Sequence, residues 1–457
     1  MSTVPHRLFF LGVGGIGMSA LARYFLHRGH VVAGYDRTPS PLTHTLEQEG
    51  IHVQYVEDPE AMPADFREAG EHDVLLVRTP AVPLDSPLLH HWMQRGARTI
   101  KRSELLGTIT QERRTLAVAG THGKTTVSCM LAHLLRVGGV PCNAFLGGIA
   151  ANYGTNLLLD EDAIVNVVEA DEYDRSFLHL HPSEAIITSV DPDHLDIYHT
   201  PEAMTDAYDT FADLCSGQVL VHESAASHFQ GREQVSVYGT TSRLPIRSEN
   251  IRIVDGTYRF DLVLDQDRLD DLELGMPGRH NVWNASAASA MALNVGVSQE
   301  KLREGLRSFA GVYRRFQVHV KGPKAVYVDD YAHHPVELAA AIGSARELYP
   351  GRRITGVFQP HLFSRTRDLA EGFAKTLAGL DRLVLLPIYP AREEPLPGID
   401  AQWLLDQVPL KDKLLITRDE VPAWVDAQAP DVLLTLGAGD IDRLVPDLTR
   451  IMQRHAS

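Results

Sequence analysis

One stretch, Thr115 to Val127, constrains the fold of this chain more than any other. Its sequence, TLAVAGTHGKTTV, opens with an apolar run that predicts a buried strand, and helical spacing of apolar residues continues to Leu135. Strand, glycine loop, Lys-Thr and helix are typical of a phosphate site, because backbone N–H groups and the helix N-terminus face the phosphate oxygens. The candidate nucleotide-binding residues are Gly120, Thr121, His122, Gly123, Lys124, Thr125 and Thr126.

The match to the general phosphate-loop pattern is partial. Val118 stands where the pattern has its first glycine, and only Gly123, Lys124 and Thr125 fit. The alternative is a strand–turn–helix junction with an exposed lysine. On the functional interpretation, Lys124 reaches the outer phosphates of a nucleotide and a threonine hydroxyl binds Mg²⁺.

Length and composition limit the class of protein. The chain has 457 residues, enough for two to four domains, and 44% hydrophobic with 22% charged residues is ordinary for a globular protein. A net charge of −16 argues against nucleic acid as the main partner. Three cysteines fit a reducing compartment, and neither a signal peptide nor a membrane-spanning apolar run is found, so we expect a cytoplasmic protein.

The first hundred residues contain a second glycine motif. A predicted strand, Arg7 to Leu11, runs into G-x-G-x-x-G and then a helical pattern, with Asp36 about 20 positions later. The pattern alone predicts NAD, with Asp36 on a ribose. The alternative is that the glycines only permit close packing of strand and helix. The candidate residues are Gly12, Gly14, Gly15, Gly17 and Asp36.

Polar residues follow two buried strands in the middle of the chain. Glu169 follows the apolar run Ile164 to Val168, and His194 follows Ala185 to Val190. The carboxyl ends of such strands form the ligand side of an α/β sheet, so Glu169 and His194 are candidate Mg²⁺ ligands. The alternatives are a helix-capping glutamate and an ordinary polar histidine.

Three further segments of the middle region have a predicted local structure. The residues Gly147-Gly148-Ile149 and Asn152-Tyr153-Gly154-Thr155-Asn156 predict a loop that approaches a ligand or makes a turn. Alternating residues around Asp255-Gly256 predict a β-hairpin and hence an antiparallel appendage. Asn281, beside a glycine, suits the edge of adenine.

The last third predicts a second open α/β sheet. After a hinge at Gly311 to Phe316, four apolar strands each end in polar residues. Those ends are predicted to gather a cluster that orients a small anionic co-substrate, and the alternative is a set of solvated loops. The cluster comprises Tyr331, His333, His361 and Arg365.

Taken in order, these motifs resemble those of the Mur ligases of peptidoglycan synthesis. The motifs that carry the resemblance are GVGGIGMSALA, GYD, AGTHGKTT, EADEYD, DPDHLD, GRHNVWNA, RRFQ, DDYAHHP, QPHLFSRT and GAGD. The resemblance implies a three-domain α/β fold: an N-terminal Rossmann-like domain, a central P-loop ATPase-type domain with the antiparallel appendage, and a C-terminal Rossmann-like domain. The expected domains are residues 1–107, 108–314 and 315–457.

The resemblance also implies the substrates, which would be UDP-N-acetylmuramate, ATP and L-alanine. The first glycine motif would then serve UDP rather than NAD, which replaces the ligand expected from the pattern alone. Lys124 would contact the outer phosphates, with Thr125, Glu169 and His194 around Mg²⁺. His280 and Asn281 would face adenine, and Arg315 would reach the phosphates from the hinge. The alanine side would be lined by Tyr331, His333, His361 and Arg365.

Two positions depart from the family pattern. Sibling families carry a carbamylated lysine some fifteen positions after the metal histidine, where this chain has Asp209. The family often has a basic residue directly after the histidine at 361, where this chain has Leu362, so binding of the amino-acid carboxylate rests more heavily on Arg365.

Three other functions compete with alanine ligation. A ligase that joins a whole tripeptide to the same nucleotide sugar would share most motifs. An NAD-dependent oxidoreductase would use Gly12 to Asp36 but would leave the GKTT loop without a task. A non-catalytic nucleotide-binding module would leave the predicted metal and acid–base residues unexplained. We expect a monomer or homodimer with no membrane span.

Overall fold

Strands and helices alternate through most of this computed structural model, which describes residues 4–70, 72–192, 195–265, 267–391 and 393–456. The chain forms two compact units. The first comprises the chain up to Glu249 with Asp261–Leu272 and Trp283–Ala310, and the second comprises Asn250–Phe260, Glu273–Val282 and the chain from Gly311 onward. Within the described ranges, no helix has the length and apolar character needed to cross a bilayer.

The first sheet is parallel, with strand order β3-β2-β1-β4-β5. Side chains of β1 alternate between its faces, so Phe9 packs with Phe66 and Trp92 while Phe10 packs on the other side. The elements are β1 (Arg7–Leu11), α1 (Ile16–His27), β2 (Val31–Tyr35), α2 (Pro41–Gln48), β3 (His52–Gln54), α3 (Ala64–Arg67), β4 (Val74–Arg78), α4 (Pro87–Gln94), β5 (Arg98–Lys101) and α5 (Arg102–Thr110).

The second sheet has ten strands in the order β15-β14-β13-β12-β11-β10-β6-β9-β7-β8. Its elements are β6 (Arg114–Ala119), α6 (Lys124–Val137), β7 (Cys142–Ala150), β8 (Thr155–Leu158), β9 (Val165–Glu169), β10 (Glu184–Ile187), α7 (Leu195–Tyr198), α8 (Pro201–Leu214), β11 (Val219–His222), β12 (Val235–Gly239), β13 (Ile246–Val254), β14 (Thr257–Leu264), β15 (Asp267–Leu274), α9 (Arg279–Val295) and α10 (Gln299–Ser308). Strand β6 pairs in parallel with both β9 and β10, so the polar residues after these three strands lie at one edge.

The predicted hairpin is confirmed. Strands β13 and β14 are neighbours in the sheet and are joined by Asp255 and Gly256. Both residues have a positive φ, 52° and 75°, as a two-residue hairpin turn with the right twist requires.

The predicted loop at Gly147-Gly148-Ile149 is wrong, because these residues belong to β7. Strands β7 and β8 form an antiparallel pair whose register shifts between Phe145 and Ala150, where the glycines lie. Glycine inside a strand marks a bulge or a close approach of another group. Here the carboxylate of Glu169 occupies the space that a Cβ on Gly147 would need.

The third sheet has the order β16-β17-β21-β18-β19-β20, and all its pairs except β16–β17 are parallel. Four of its strands are those predicted, and the two edge strands β16 and β20 are additional. The elements are β16 (Gln317–Lys321), β17 (Val326–Asp330), α11 (Pro335–Leu348), β18 (Ile354–Phe358), α12 (Phe363–Asp368), α13 (Ala370–Leu377), β19 (Arg382–Leu385), α14 (Ala401–Gln407), β20 (Lys413–Leu415), α15 (Val421–Gln428), β21 (Val432–Leu436) and α16 (Val445–Ala456).

Candidate active site

The glycine loop after β6 is fixed by hydrogen bonds to the chain that follows β10. The N–H of His122 donates to Ser189 Oγ at 3.0 Å, and the N–H of Thr121 donates to the carbonyl of Ser189 at 3.2 Å. Gly120 has φ of 129°, and a Cβ there would collide with Thr188. The residues predicted at this loop therefore lie together, at the N-terminus of the 14-residue helix α6.

Lys124 begins that helix and is surrounded by acceptors. Its Nζ donates to the carbonyl oxygens of Gly120 at 2.6 Å and Thr121 at 3.3 Å, and to Glu172 Oε1 at 2.9 Å. An ammonium has three N–H groups, so these three acceptors satisfy it. Nucleotide phosphate therefore has to replace at least one of them when it binds Lys124.

Glu172 is a charged neighbour of the loop that the sequence analysis did not single out. Its side chain is 2% exposed and its Oε2 lies 2.7 Å from Lys124 Nζ. Burial raises the pKa of Glu172 to about 7, and the ammonium of Lys124 opposes that shift. The hydroxyl of Tyr198 donates to the backbone carbonyl of Glu172 at 2.6 Å and fixes this segment. The signal available in the sequence was the second glutamate of EADEYD.

The candidate metal ligands are only partly described. Glu169 ends β9, and its Oε2 accepts the N–H of Gly147 at 3.1 Å. Thr125 lies in the first turn of α6. His194 lies outside the described residues. Carboxylate and hydroxyl oxygens are donors that Mg²⁺ prefers, so Glu169 and Thr125 fit this metal. Within the described ranges, no three His, Cys, Asp or Glu side chains form a metal-binding group by themselves.

The first glycine motif forms the turn from β1 into α1. Gly12 has φ of 84°, and a Cβ at this residue would come 2.7 Å from Thr79. The N–H of Gly14 donates to Asp36 Oδ2 at 2.8 Å, and the N–H of Thr38 donates to the other oxygen at 3.2 Å. Gly15 precedes α1 and Gly17 lies within it. Asp36 thus holds the loop itself, a role that the sequence pattern did not predict.

His280, Asn281 and Arg315 all belong to the second unit. Asn281 is fully buried, and its Nδ2 donates to the carbonyl of Pro277. The Arg315 guanidinium stacks 5.2 Å from the centre of the Tyr331 ring and lies 3.8 Å from Glu337 Oε1. Burial, and secondly the charge of Arg315, lower the pKa of His280 to about 4.

This shift predicts a pH dependence of stability. The pKa of His280 falls from 6.5 to about 4 on folding, although Glu337 and Glu347 oppose the shift. The folded chain therefore binds fewer protons than the unfolded chain between these values, and stability is lost as the pH falls through that window. Because the side chain is partly exposed, we expect a loss of about 2 kcal/mol rather than the full linkage value.

The variant His280→Gln tests this prediction. It is expected to show a smaller loss of unfolding free energy than the original protein between pH 6.5 and 4.5, measured by urea denaturation. Parallel pH profiles for the two proteins would contradict the assignment of His280 as the titrating group.

The predicted amino-acid cluster is brought together at the ends of β17 and β18. The ring of His333 lies 5.3 Å from that of Tyr331 and 6.0 Å from that of His361. His361 stacks on Tyr389 at 5.7 Å, a contact that the sequence analysis missed. Arg365 lies in α12, four residues after His361.

Glu337 organises the start of α11 beneath this cluster. Its Oε2 accepts the N–H groups of His333 at 3.0 Å and His334 at 3.3 Å. His333 Nδ1 lies 3.0 Å from the carbonyl of Tyr331 and 3.3 Å from Glu337 Oε2. Two acceptors at Nδ1 place the proton there and leave Nε2 as the acceptor nitrogen. Burial lowers the pKa of His333, which favours the neutral ring.

Leu362 and Glu393 shape the segment that carries Arg365. Leu362 precedes α12 with φ of 70°, and its N–H donates to the carbonyl of Tyr389 at 2.9 Å. The N–H of Ser364 donates to Glu393 Oε2 at 3.0 Å, and its hydroxyl donates to the other oxygen. Glu393 therefore caps α12 and orients its first turn, a contribution that the sequence analysis did not identify.

Three domain families match the chain along its length. They are the Mur ligase family catalytic domain over residues 7–114, the Mur ligase middle domain over 118–292, and the Mur ligase glutamate ligase domain over 314–439. The chain is 47% identical to the UDP-N-acetylmuramate–L-alanine ligase of Parabacteroides distasonis, over 97% of each chain. It is 48% identical to that of Porphyromonas gingivalis, over 98% of this chain and 99% of the relative. The chain belongs to the Mur ligase family.

Solved Mur ligase structures share the fold. The UDP-N-acetylmuramate-alanine ligase of Thermotoga maritima matches with a TM-score of 0.82 and 26% identity, covering 98% of each chain. A murein peptide ligase of Psychrobacter arcticus matches with a TM-score of 0.70 and 22% identity, over 97% of this chain and 98% of that one. The three-domain α/β fold predicted from the sequence is thereby confirmed, whereas the boundaries at residues 107 and 314 stay predictions.

Asp209, one of the two positions that depart from the family pattern, forms an ion pair with Arg232. Asp209, which stands where the resemblance leads us to expect the carbamylated lysine of sibling families, lies in α8 and accepts from Arg232 Nη2 at 3.1 Å. The charge of its carboxylate is therefore paired with the guanidinium of Arg232. The carboxylates whose charges act on Lys124 come from elsewhere, namely Glu172, Asp171 and Glu169.

Proposed function

We propose that this protein is an ATP-dependent ligase that joins L-alanine to UDP-N-acetylmuramate through an acyl phosphate, in peptidoglycan precursor synthesis. The observation that carries the proposal is the 47–48% identity, over almost the whole chain, to proteins named UDP-N-acetylmuramate–L-alanine ligase. The arrangement of Lys124 at a helix N-terminus supports it, because phosphoryl transfer needs such a cation. Since ATP is consumed, we place the reaction in the cytoplasm.

Each of the three sheets contributes one substrate site in this proposal. The loop Gly12, Gly14, Gly15 and Gly17, braced by Asp36, would bind the UDP part of the nucleotide sugar. The loop Gly120–Thr126 and Arg315 would bind the phosphates of ATP, and His280 and Asn281 would face its adenine. L-Alanine would lie among the remaining candidates, Tyr331, His333, His361 and Arg365.

Phosphoryl transfer is the first step. A carboxylate is a poor electrophile, so the lactyl carboxylate first attacks the γ-phosphate of ATP, and Lys124 offsets the charge that gathers on the transferred group. Thr125, Glu169 and His194 would hold Mg²⁺, which supplies further charge neutralisation when bound.

Amide formation is the second step. The amine of L-alanine attacks the acyl phosphate, and collapse of the tetrahedral intermediate releases phosphate. The attacking amine loses a proton, and His333 Nε2 is the group we assign to accept it, because Nδ1 faces two acceptors and the ring is held neutral. Arg365 would pair with the carboxylate of alanine, with α12 oriented by Glu393.

Phosphate release tests the proposal. The protein is supplied with ATP, Mg²⁺ and UDP-N-acetylmuramate, and either L-alanine or the tripeptide L-alanyl-γ-D-glutamyl-meso-diaminopimelate is added. We expect release that depends on both the nucleotide sugar and L-alanine, with a product heavier by one alanyl residue. Release with the tripeptide alone would assign the protein to peptide recycling, and no release with either would refute ligation.

A further inference from the structure

A cavity of about 80 Å³ lies in the first unit, between the first glycine motif and the end of β9. The start of α1 with Gly17 lines it, and so do Gly147 and Glu169. Its lining is partly apolar and partly charged, and the apolar part would suit a short carbon arm. The lining residues are Ile16, Gly17, Ala20, Leu21, Arg102, Leu106, Phe145, Leu146, Gly147, Glu169 and Asp171.

Arg102 supplies the positive charge of this lining. It is the first residue of α5, and its guanidinium lies so close to Gly17 that a Cβ there would collide with Nη1. Its Nη2 donates to Asp171 Oδ2 at 3.0 Å. The neighbouring Lys101 is directed elsewhere, with its Nζ 2.6 Å from Asp174. The third glycine of the first motif thus makes room for a cation.

The guanidinium has donors to spare. A guanidinium carries five N–H groups in a planar fork, and the contact with Asp171 uses one of them. The side chain of Arg102 is 20% exposed, and it is part of the lining of the cavity. A ligand carboxylate can therefore bind in the fork while Asp171 retains its own hydrogen bond.

The cavity also lies between the two sites that one substrate has to connect. Its lining includes Gly17 of the motif assigned to the UDP part, and Glu169, which pairs with the strand before the ATP loop. A nucleotide sugar bound on the first loop has to extend its carboxylate toward the second. That carboxylate is the negatively charged group on the lactyl arm of the sugar, and in this proposal it enters the cavity of about 80 Å³.

We propose that Arg102 binds the lactyl carboxylate of the nucleotide sugar and directs it to the ATP loop. The assignment rests on the proposed function, because it takes UDP-N-acetylmuramate as the substrate. In the free protein, Asp171 neutralises the guanidinium. In the complex, the carboxylate binds the remaining donors, so the residue recognises the charged end of the lactyl group that separates UDP-N-acetylmuramate from UDP-N-acetylglucosamine.

Calorimetric binding of these two nucleotide sugars, without ATP or alanine, tests the assignment. We expect Arg102→Ala to weaken binding of UDP-N-acetylmuramate by about 10- to 100-fold, the range for a charged hydrogen-bonded pair. Binding of UDP-N-acetylglucosamine is expected to change by less than about threefold. Arg102→Lys should bind UDP-N-acetylmuramate more weakly than the original protein and more tightly than Arg102→Ala. Lys101→Ala should leave the affinities for both sugars unchanged.

Equal weakening for the two sugars would overturn the proposal, since it would assign Arg102 to the diphosphate or to the fold. An unchanged affinity for UDP-N-acetylmuramate would also overturn it. If Arg102→Ala does not fold, Arg102→Gln, which keeps a planar polar group, gives the same comparison. Failure of the original protein to bind UDP-N-acetylmuramate would instead refute the proposed function.

Discussion

Replacement of Lys124 by methionine is expected to lower the rate of ATP-dependent ligation by a factor of about 10³ or more. The ammonium lies at the N-terminus of α6, where its charge offsets the charge on the transferred phosphoryl group. Methionine keeps the length of the side chain and removes only the charge and its hydrogen bonds. The measurement is phosphate release at saturating ATP, nucleotide sugar and alanine.

A folding defect has to be separated from a chemical one. Lys124→Met leaves the buried carboxylate of Glu172 without its cation, so the single variant is expected to be less stable. The double variant Lys124→Met with Glu172→Gln removes both charges and is expected to be stable but inactive. Lys101→Met, at a lysine paired with Asp174, is the control with normal activity. Normal turnover in the double variant would refute the role of Lys124.

Buried parallel strands are the part of the fold that local sequence predicts well. Strands such as β6, β9 and β18 are mostly apolar because their residues are buried on both faces of the sheet. The edge strands β16 and β20 are not predicted, since β16 alternates polar with apolar residues and β20 has only three residues. Their position follows from pairing with β17 and β19, which local sequence does not encode.

The candidate site is predictable to the same extent. Polar residues at the end of a buried strand or a few positions beyond it, such as Glu169 and His333, are found from the strand ends alone. Glu172 is not, because it lies in the irregular segment after β9, and its pairing with Lys124 depends on the adjacency of β6 and β9. Gly147 was misassigned because glycine is equally compatible with a loop and with a bulged strand under a neighbouring side chain.

The pair formed by Lys124 and Glu172 is expected to show a large coupling free energy in unfolding experiments. The two side chains are 13% and 2% exposed, so water screens their interaction weakly. Removing one partner leaves the other charge buried and uncompensated. We therefore expect Lys124→Met and Glu172→Gln each to lower the free energy of unfolding by about 3 kcal/mol.

The double variant distinguishes coupled from additive losses of stability. Replacing both members of a buried ion pair by neutral groups of similar size often changes the free energy of unfolding very little. We expect it to lose less than either single variant, which corresponds to a coupling of at least about 3 kcal/mol in the double-mutant cycle. Urea denaturation of the four proteins without nucleotide measures this cycle. The exposed pair Arg450–Asp447, with side chains 73% and 50% exposed, is the matched control and should show a coupling below about 1 kcal/mol. Additive losses at Lys124 and Glu172 would mean that the ammonium is held by the carbonyl groups of the loop, and that nucleotide phosphate binds it without displacing a carboxylate.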